Sequence, residues 1–171
     1  MNLLISKAKK KDADAYIALI EENKANMYKI AFSILHNDAD AADAIQDAIL
    51  KSWKNIEKLK QDKYFKTWFT RILINCCNDI IRKNSRTVYV EDYEGIEPYD
   101  SYEISGSQIN ECLDGLSDNY RLVLILHYVQ GFSIKEISSI MNINENTIKT
   151  RLSRGREQFR QLYTKEEGVL L

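Results

Sequence analysis

Apolar side chains recur every three or four positions through most of the first half of this chain, and that spacing predicts helices. A first helix is expected over residues 12–23 and a second over 25–36, the latter with Met27, Ile30, Ala31, Ile34 and Leu35 on one side. Asn37-Asp38 interrupts the pattern, and Asp40 is placed to cap a third helix. The stripe of that third helix is Ala41, Ala44, Ile45, Ala48, Ile49, Trp53 and Ile56. A loop is expected near 58–63. A fourth helix over 64–83 then carries Phe65, Trp68, Phe69, Ile72, Leu73, Cys76 and Ile80 as its core face.

The helical period lapses between about 85 and 107, where Gly95, Pro98 and Gly106 stand among Glu91, Asp92, Glu94, Glu97, Asp100, Glu103 and four tyrosines. Such a composition does not fold independently. The period resumes near Gln108. Ile109, Leu113 and Leu116 make one apolar face, and Ser117 or Asp118 caps the next helix, along which lie Tyr120, Val123, Leu124, Leu126 and His127. Gly131 ends it.

The stretch GFSIKEISSIMNINENTIKTRLSRGR, residues 131–156, is the most informative part of the chain. Ile134, Ile137, Ile140 and Met141 mark the buried side of a short helix. Asn142-Ile143-Asn144 is a turn with one apolar residue pointing inward. Asn144 caps a second helix, in which Thr147, Ile148 and Leu152 alternate with Lys149, Arg151, Arg154 and Arg156. This is helix-turn-helix logic, in which the second helix presents side chains to the DNA major groove. An ordinary helical hairpin with a solvated basic face would carry the same pattern. Residues 164–171 read as a frayed tail. The fold class expected is all-α, with two small helical domains, 1–86 and 108–171, joined by a flexible acidic linker, 87–107; the second is the helix-turn-helix domain.

Composition sharpens this picture. Of 171 residues 44% are hydrophobic, enough for packed cores, and the single proline and six glycines, all after residue 94, argue against a turn-rich β fold. The net charge of -1 conceals a segregation. From 63 to 86 there are six basic residues and one acid, from 87 to 114 eight acids and no Lys or Arg, and from 144 to 163 five basic residues and two acids. Cys76 and Cys77 are adjacent and Cys112 is distant, with no CxxC pair, and His36 and His127 are not at ligand spacing, so buried thiols are expected rather than a metal site. This cysteine use fits a reducing cytoplasm. The first residues have too short an apolar run for a signal peptide, and no segment approaches a membrane span. No glycine-rich phosphate loop or nucleophile motif is present, so no catalytic residue and no cofactor is expected.

Two elements carry candidate chemistry besides the helix-turn-helix. From 64 to 86 aromatics alternate with Arg and Lys, a combination that can stack unpaired bases and track phosphates. Lys63, Tyr64, Arg71, Asn75 and Asn78 are its candidates, while Phe69 and most of the apolar stripe belong to the core. The third helix carries Asp40, Asp43, Gln46 and Asp47 beside its apolar stripe. These acids suit a basic partner surface; they would equally favour a helix N-terminus and remain solvated.

Taken together, these segments resemble a bacterial RNA polymerase sigma factor of the extracytoplasmic-function group, in the sigma-70 family. DADAADAIQDAILKSWKNI is similar to the family's segment that binds the clamp helices of the polymerase largest subunit, KYFKTWFTRILINCCNDIIRKNSR to its promoter-melting and minus-ten reading helix, and LDGLSDNYRLVLILHYVQGFSIKEISSIMNINENTIKTRLSRGR to its minus-thirty-five reading domain. Any one segment alone is a weak signal; three in this order are specific. The resemblance implies that Asp43, Gln46, Asp47, Leu50 and Trp53 dock core RNA polymerase. It implies that the loop from Lys60 to Phe65, including Lys63 and Tyr64, captures a base extruded from the minus-ten strand together with Asn75; Arg71 and Asn78, candidates from the spacing above, join the minus-ten surface. It implies that Lys149, Thr150, Ser153 and Arg154 face the minus-thirty-five groove, with Arg151 and Arg156 set for phosphates or intradomain pairing. The acidic linker would thread toward the RNA path in the polymerase cleft. The partners implied are core RNA polymerase, promoter DNA and an anti-sigma factor, often membrane-bound, and the activity implied is non-enzymatic promoter selection for a stress- or envelope-responsive gene set. A stand-alone dimeric helix-turn-helix regulator is the main rival, and a small helical phosphatase or nuclease, which would need a metal cluster, is another.

The sequence departs from the family pattern in four places. Ser117-Asp118 stands where a proline is common, and Gln61-Asp62-Lys63 lacks a glycine often found in the capture loop. Gly155 stands where alanine is common and is expected to weaken or bend the recognition helix, and the Cys76-Cys77 pair has no functional account.

Overall fold

A computed structural model describes residues 2–86 and 107–167, and the regular structure among them is helical. The helices fall into two compact units, one before and one after the acidic connector. The linker expected over 87–107 lies outside the described residues except for Ser107, which opens a helix.

The first unit begins with α1 (Asn2–Lys9), which the hydrophobic pattern did not reveal. Eight residues hold too few apolar positions to declare a period, yet Ile5 and Ala8 are fully buried. Lys11, in the left-handed region at φ 66, turns the chain, and Asp12 then caps α2 (Ala13–Glu21) by accepting a hydrogen bond from the Ala15 amide at 3.0 Å. The helix expected from residue 12 therefore starts one residue later and ends at Glu21. The next, α3 (Lys24–Leu35), stops at His36, whose left-handed φ of 51 breaks it.

α4 (Asp38–Asn55) is capped by Asn37, not Asp40: the Asn37 side chain accepts from the Asp40 amide at 2.9 Å, while Asp38 and Asp40 occupy the first turn. Its buried face is small, with Ala41, Ala44 and Ala48 fully buried, so α4 lies close against α5 and α3. Ser52 is buried in the same row and is satisfied, its hydroxyl donating to the Ile49 carbonyl at 3.0 Å and lying 2.6 Å from the Tyr16 hydroxyl. The loop expected near 58–63 contains two short 3-10 turns, Ile56–Lys58 and Asp62–Tyr64, with Leu59 buried between them. α5 (Phe65–Arg86) follows, so Tyr64 precedes the helix and Ser85 belongs to it. Phe65, Phe69, Leu73, Cys76 and Cys77 are its buried side, and each large side chain buried there contributes about 1.5–3 kcal/mol.

The second unit comprises α6 (Ser107–Asp114), α7 (Asp118–Leu124), α8 (Ile134–Met141) and α9 (Glu145–Glu167). α7 runs on through a π turn, Ile125–Val129, and Gly131 at φ 74 releases the chain. Cys112 and Leu116 are buried, and Ile109, though 39% exposed, shares with Leu113 the lining of an apolar cleft against Leu124 and Phe159. α8 starts with a reciprocal cap: the Ser133 hydroxyl receives the Glu136 amide and the Glu136 carboxylate receives the Ser133 amide. Asn142 ends it at φ 55. The turn is then locked from both sides, since Ser138 donates its hydroxyl to the Ile143 carbonyl at 2.6 Å and receives the Ile143 amide on its own carbonyl at 3.1 Å. Asn144 caps α9 by accepting from the Asn146 amide at 2.8 Å. Ile137, Ile140, Ile148 and Leu152 fill the interior, with Ile134 and Met141 half-buried at its edge.

Two expectations for α9 are corrected. It continues to Glu167, so the tail expected from 164 is helical for its first turn. Gly155 neither ends nor weakens the packing of the helix. It is buried, and a Cβ there would lie 3.2 Å from Tyr120 Cβ and 3.4 Å from Leu124, so the glycine sets the close crossing of α9 over α7.

Candidate polymerase and promoter interfaces

The burial of alanines on one side of α4 turns its acids outward. Asp43, Gln46, Asp47 and Leu50 are exposed along one face, at the spacing of successive helical turns, and Leu50 is 50% exposed. A leucine left in water one turn from the Asp47 carboxylate is the pattern of a surface that another protein covers. Trp53 sits at the margin of this face and is only half-exposed. Its ring lies 4.8 Å from that of Tyr16 and under the Lys11 ammonium at 5.1 Å. The Trp53 assignment thus joins packing and surface in one side chain.

On the neighbouring helix Arg71, Asn75 and Asn78 are exposed and share one face of α5. Lys60, Lys63 and Tyr64 are exposed just before it, with the Lys63 ammonium 4.9 Å above the Tyr64 ring. Phe65 is not part of this surface. It is 1% exposed and packs its ring 5.9 Å from Phe69 and 6.1 Å from Trp68, so it anchors the loop and cannot receive a base. Asn75 stands ten residues along α5 from Phe65, a rise of about 15 Å. A nucleic-acid strand, rather than a single base, would touch both Tyr64 and Asn75.

Behind this surface, the Lys51 ammonium lies 3.5 Å from both the Cys76 sulfur and the Asp79 carboxylate. Burial pushes the Cys76 thiol above its usual range against the opposing pull of Lys51, and burial next to Cys76 pushes Cys77 up to about 12. Both are protonated, unreactive thiols at neutral pH.

In α9, Ile148, Leu152 and Gly155 face the core, which leaves Lys149, Thr150, Ser153 and Arg154 exposed on the opposite side. Arg151 is turned differently. It is half-buried, and its Nη1 is buried without a hydrogen-bond partner. It lines a cleft of about 290 Å³ where the start of α7, at Ser117 and Asn119, meets Thr147, Thr150 and Arg154 of α9. An orphaned guanidinium nitrogen beside a second arginine and the hydroxyl residues Ser117, Thr147 and Thr150 suits a phosphate oxygen better than a base edge.

Arg121 is a residue whose role the sequence did not disclose. Only 5% exposed, it donates to the carbonyls of Leu113 at 2.7 Å and of Asp114 and Leu116 at 2.8 Å, closing the open end of α6 and tying α7 to it. No local pattern marks such a residue, because the need for it arises from the unpaired carbonyls where α6 ends. Among the described residues no group of three or more His, Cys, Asp or Glu is placed to hold a metal ion. Nor, among them, is any helix long and apolar enough to cross a membrane.

Residues 19–87 match the family model of sigma-70 region 2, and residues 107–159 match that of sigma-70 region 4. The RNA polymerase sigma factor SigV of Bacillus subtilis (strain 168) is 33% identical over 156 residues, spanning 88% of this chain and 92% of that protein. The ECF RNA polymerase sigma factor SigW of the same organism is 32% identical over 175 residues, spanning 92% of this chain and 93% of that one. The chain belongs to the ECF sigma factors. Its region 2 is carried by α2–α5 and its region 4 by α6–α9. As a member of this family it directs transcription initiation, and the family consists of initiation factors rather than enzymes.

Two solved structures share the fold. The sigma factor RpoE in complex with the anti-sigma factor NepR from Bartonella quintana has a TM-score of 0.71 at 24% identity, over 87% of this sigma factor and 96% of that chain. CnrH in complex with the cytosolic domain of CnrY has a TM-score of 0.69 at 19% identity, over 96% and 97%.

Proposed function

We propose that this sigma factor docks core RNA polymerase through the acidic face of α4, with Asp43, Gln46, Asp47 and Leu50 outward and Trp53 at its margin. Lys60, Lys63 and Tyr64 capture an unstacked minus-ten base, and Arg71, Asn75 and Asn78 carry the strand away along α5. Removing a base from the stack costs a few kcal/mol, which stacking on Tyr64 and contacts to the phosphates offset. Lys149, Thr150, Ser153 and Arg154 read the minus-thirty-five major groove, where an arginine forked onto guanine is worth about 1–3 kcal/mol of discrimination. Arg151 holds a backbone phosphate and fixes the register.

The observation that carries this reading is the orientation of α9: a buried Ile148, Leu152 and Gly155 leave its basic and hydroxyl side chains as the free face of a capped helix-turn-helix. The reading places the protein in the cytoplasm, where polymerase works. An anti-sigma partner, of the kind found with the two solved relatives, would hold it inactive by covering its polymerase-docking surface. The same basic face would serve a dimeric stand-alone regulator, but the match to sigma region 2 as well as region 4 favours the polymerase-dependent reading.

The deciding experiment is in-vitro transcription with bacterial core polymerase, with and without the protein, on a library of genomic promoter fragments. Start sites that appear only with the protein and share two motifs at fixed spacing are expected. A protein that binds DNA as a dimer and leaves polymerase unchanged would overturn the reading.

A further inference from the structure

We propose that α1 is a brace for the base-capture loop, and that the Lys9–Asp62 ion pair sets where Tyr64 meets the unstacked base. The proposal rests on the reading of residues 60–65 as that loop.

The loop is fixed at both ends by apolar anchors, Leu59 at 5% and Phe65 at 1% exposure, while Lys60, Gln61, Lys63 and Tyr64 between them are exposed. At its middle, Lys9 of α1 donates to the Asp62 carboxylate at 3.0 Å, with the two side chains 27% and 30% exposed. Asp62 opens the 3-10 turn that ends at Tyr64, whose amide donates to the Gln61 carbonyl at 3.1 Å. The position of Asp62 therefore sets the direction in which the Tyr64 ring leaves the backbone.

α1 has its own fixed points. Ile5 and Ala8 are fully buried, and Lys11, in the turn to α2, donates to the Trp53 carbonyl at the end of α4 at 3.0 Å and pairs with Glu57 at 3.4 Å. The chain thus runs from the end of the docking helix through Lys11 and Lys9 to the middle of the loop. An acid beside Lys60 and Lys63 makes little sense as a nucleic-acid contact, because a carboxylate repels phosphates. It makes sense as the loop's attachment to α1, neutralised by Lys9.

This gives the pair a signature that simple charge effects lack. If the two residues acted only through the field felt by DNA, Lys9→Met would weaken promoter engagement and Asp62→Asn would strengthen it. If they position the loop, both changes act in the same direction and an exchanged pair repairs them. The test uses holoenzyme reconstituted from core polymerase and the full chain, on promoter fragments randomised across the minus-ten element, and reads the transcript ratio between the preferred base and the others at each position. Lys9→Met and Asp62→Asn are each expected to lower selectivity at one position by about two- to fivefold, and Lys9→Asp with Asp62→Lys to restore most of it. Tryptophan fluorescence, from Trp53 and Trp68, checks that the first unit stays folded. Opposite effects of the two single changes, or unaltered selectivity in both while Tyr64→Ala abolishes it, would overturn the brace and leave the loop reading intact. Selectivity that survives Tyr64→Ala in an otherwise active holoenzyme would overturn the loop reading, and the brace with it.

Discussion

Replacing Arg121 with methionine should strongly destabilise the second unit while leaving the first untouched. The guanidinium is 5% exposed and holds three main-chain carbonyls, those of Leu113, Asp114 and Leu116, at 2.7–2.8 Å. It also pairs with Asp118 at 3.1 Å, but that carboxylate is 79% exposed and the pair adds little. A hydrogen bond to a charged group contributes about 1.5–3 kcal/mol, and the three are not additive because water recovers part of an opened helix end. Methionine retains the apolar stem contacts, so the loss is about 3–4 kcal/mol. A unit of roughly sixty residues has about 3–9 kcal/mol in all. The two tryptophans, Trp53 and Trp68, lie in the first unit, which makes the assay selective. In urea, tryptophan fluorescence follows the first unit and circular dichroism follows both. The variant should lose helical signal at lower urea with an unmoved fluorescence transition. A loss below about 1 kcal/mol, or a fluorescence midpoint displaced equally, would refute the argument.

Other changes test the remaining assignments. Arg151→Ala should lower promoter affinity uniformly across sequences and reduce the magnitude of the salt slope by about 1, whereas Arg154→Ala should relax selectivity at one minus-thirty-five position; competition binding by the holoenzyme at several salt concentrations separates the two. Gly155→Val should cost the second unit about 1–3 kcal/mol in urea unfolding, because the new side chain meets Tyr120 Cβ in the crossing of α7 and α9. The Tyr28 phenol is raised to about 12 by burial and by the Asp38 carboxylate to which it donates, since a phenolate there would face a like charge. A raised native pKa stabilises the fold below the ordinary value of 10.0 and the contribution is lost as pH rises toward about 12, so Tyr28→Phe should flatten the fall in melting temperature over that interval. Cys76, Cys77 and Cys112, all buried, should resist iodoacetamide in the native protein at neutral pH and react together in denaturant, as mass spectrometry would read.

Helical period, turn residues and charge blocks were enough to place eight of the helices, the break between the two units and the basic face of α9. These are local properties: a face repeats every few residues, and Asn142 or Gly131 stops a helix wherever it stands. α1 was not legible because its stability comes from burying Ile5 and Ala8 against other helices, not from its own pattern. The same limit hid the partners of long-range side chains. Phe65, aromatic and next to two lysines, reads as a base-stacking residue, and only the position of Phe69 and Trp68 makes it an anchor. Arg151 is one of several arginines on a basic helix until α7 buries part of it, and Gly155 is a weak point until Tyr120 shows why no side chain fits. The Lys9–Asp62 pair joins residues 53 positions apart, a separation at which local spacing carries no signal. Apart from α1, sequence alone determined which segments are helical and which carry charge, because those follow from neighbours along the chain. Which of those side chains are free to meet polymerase and DNA was decided only by tertiary packing, because burial depends on residues far away in sequence.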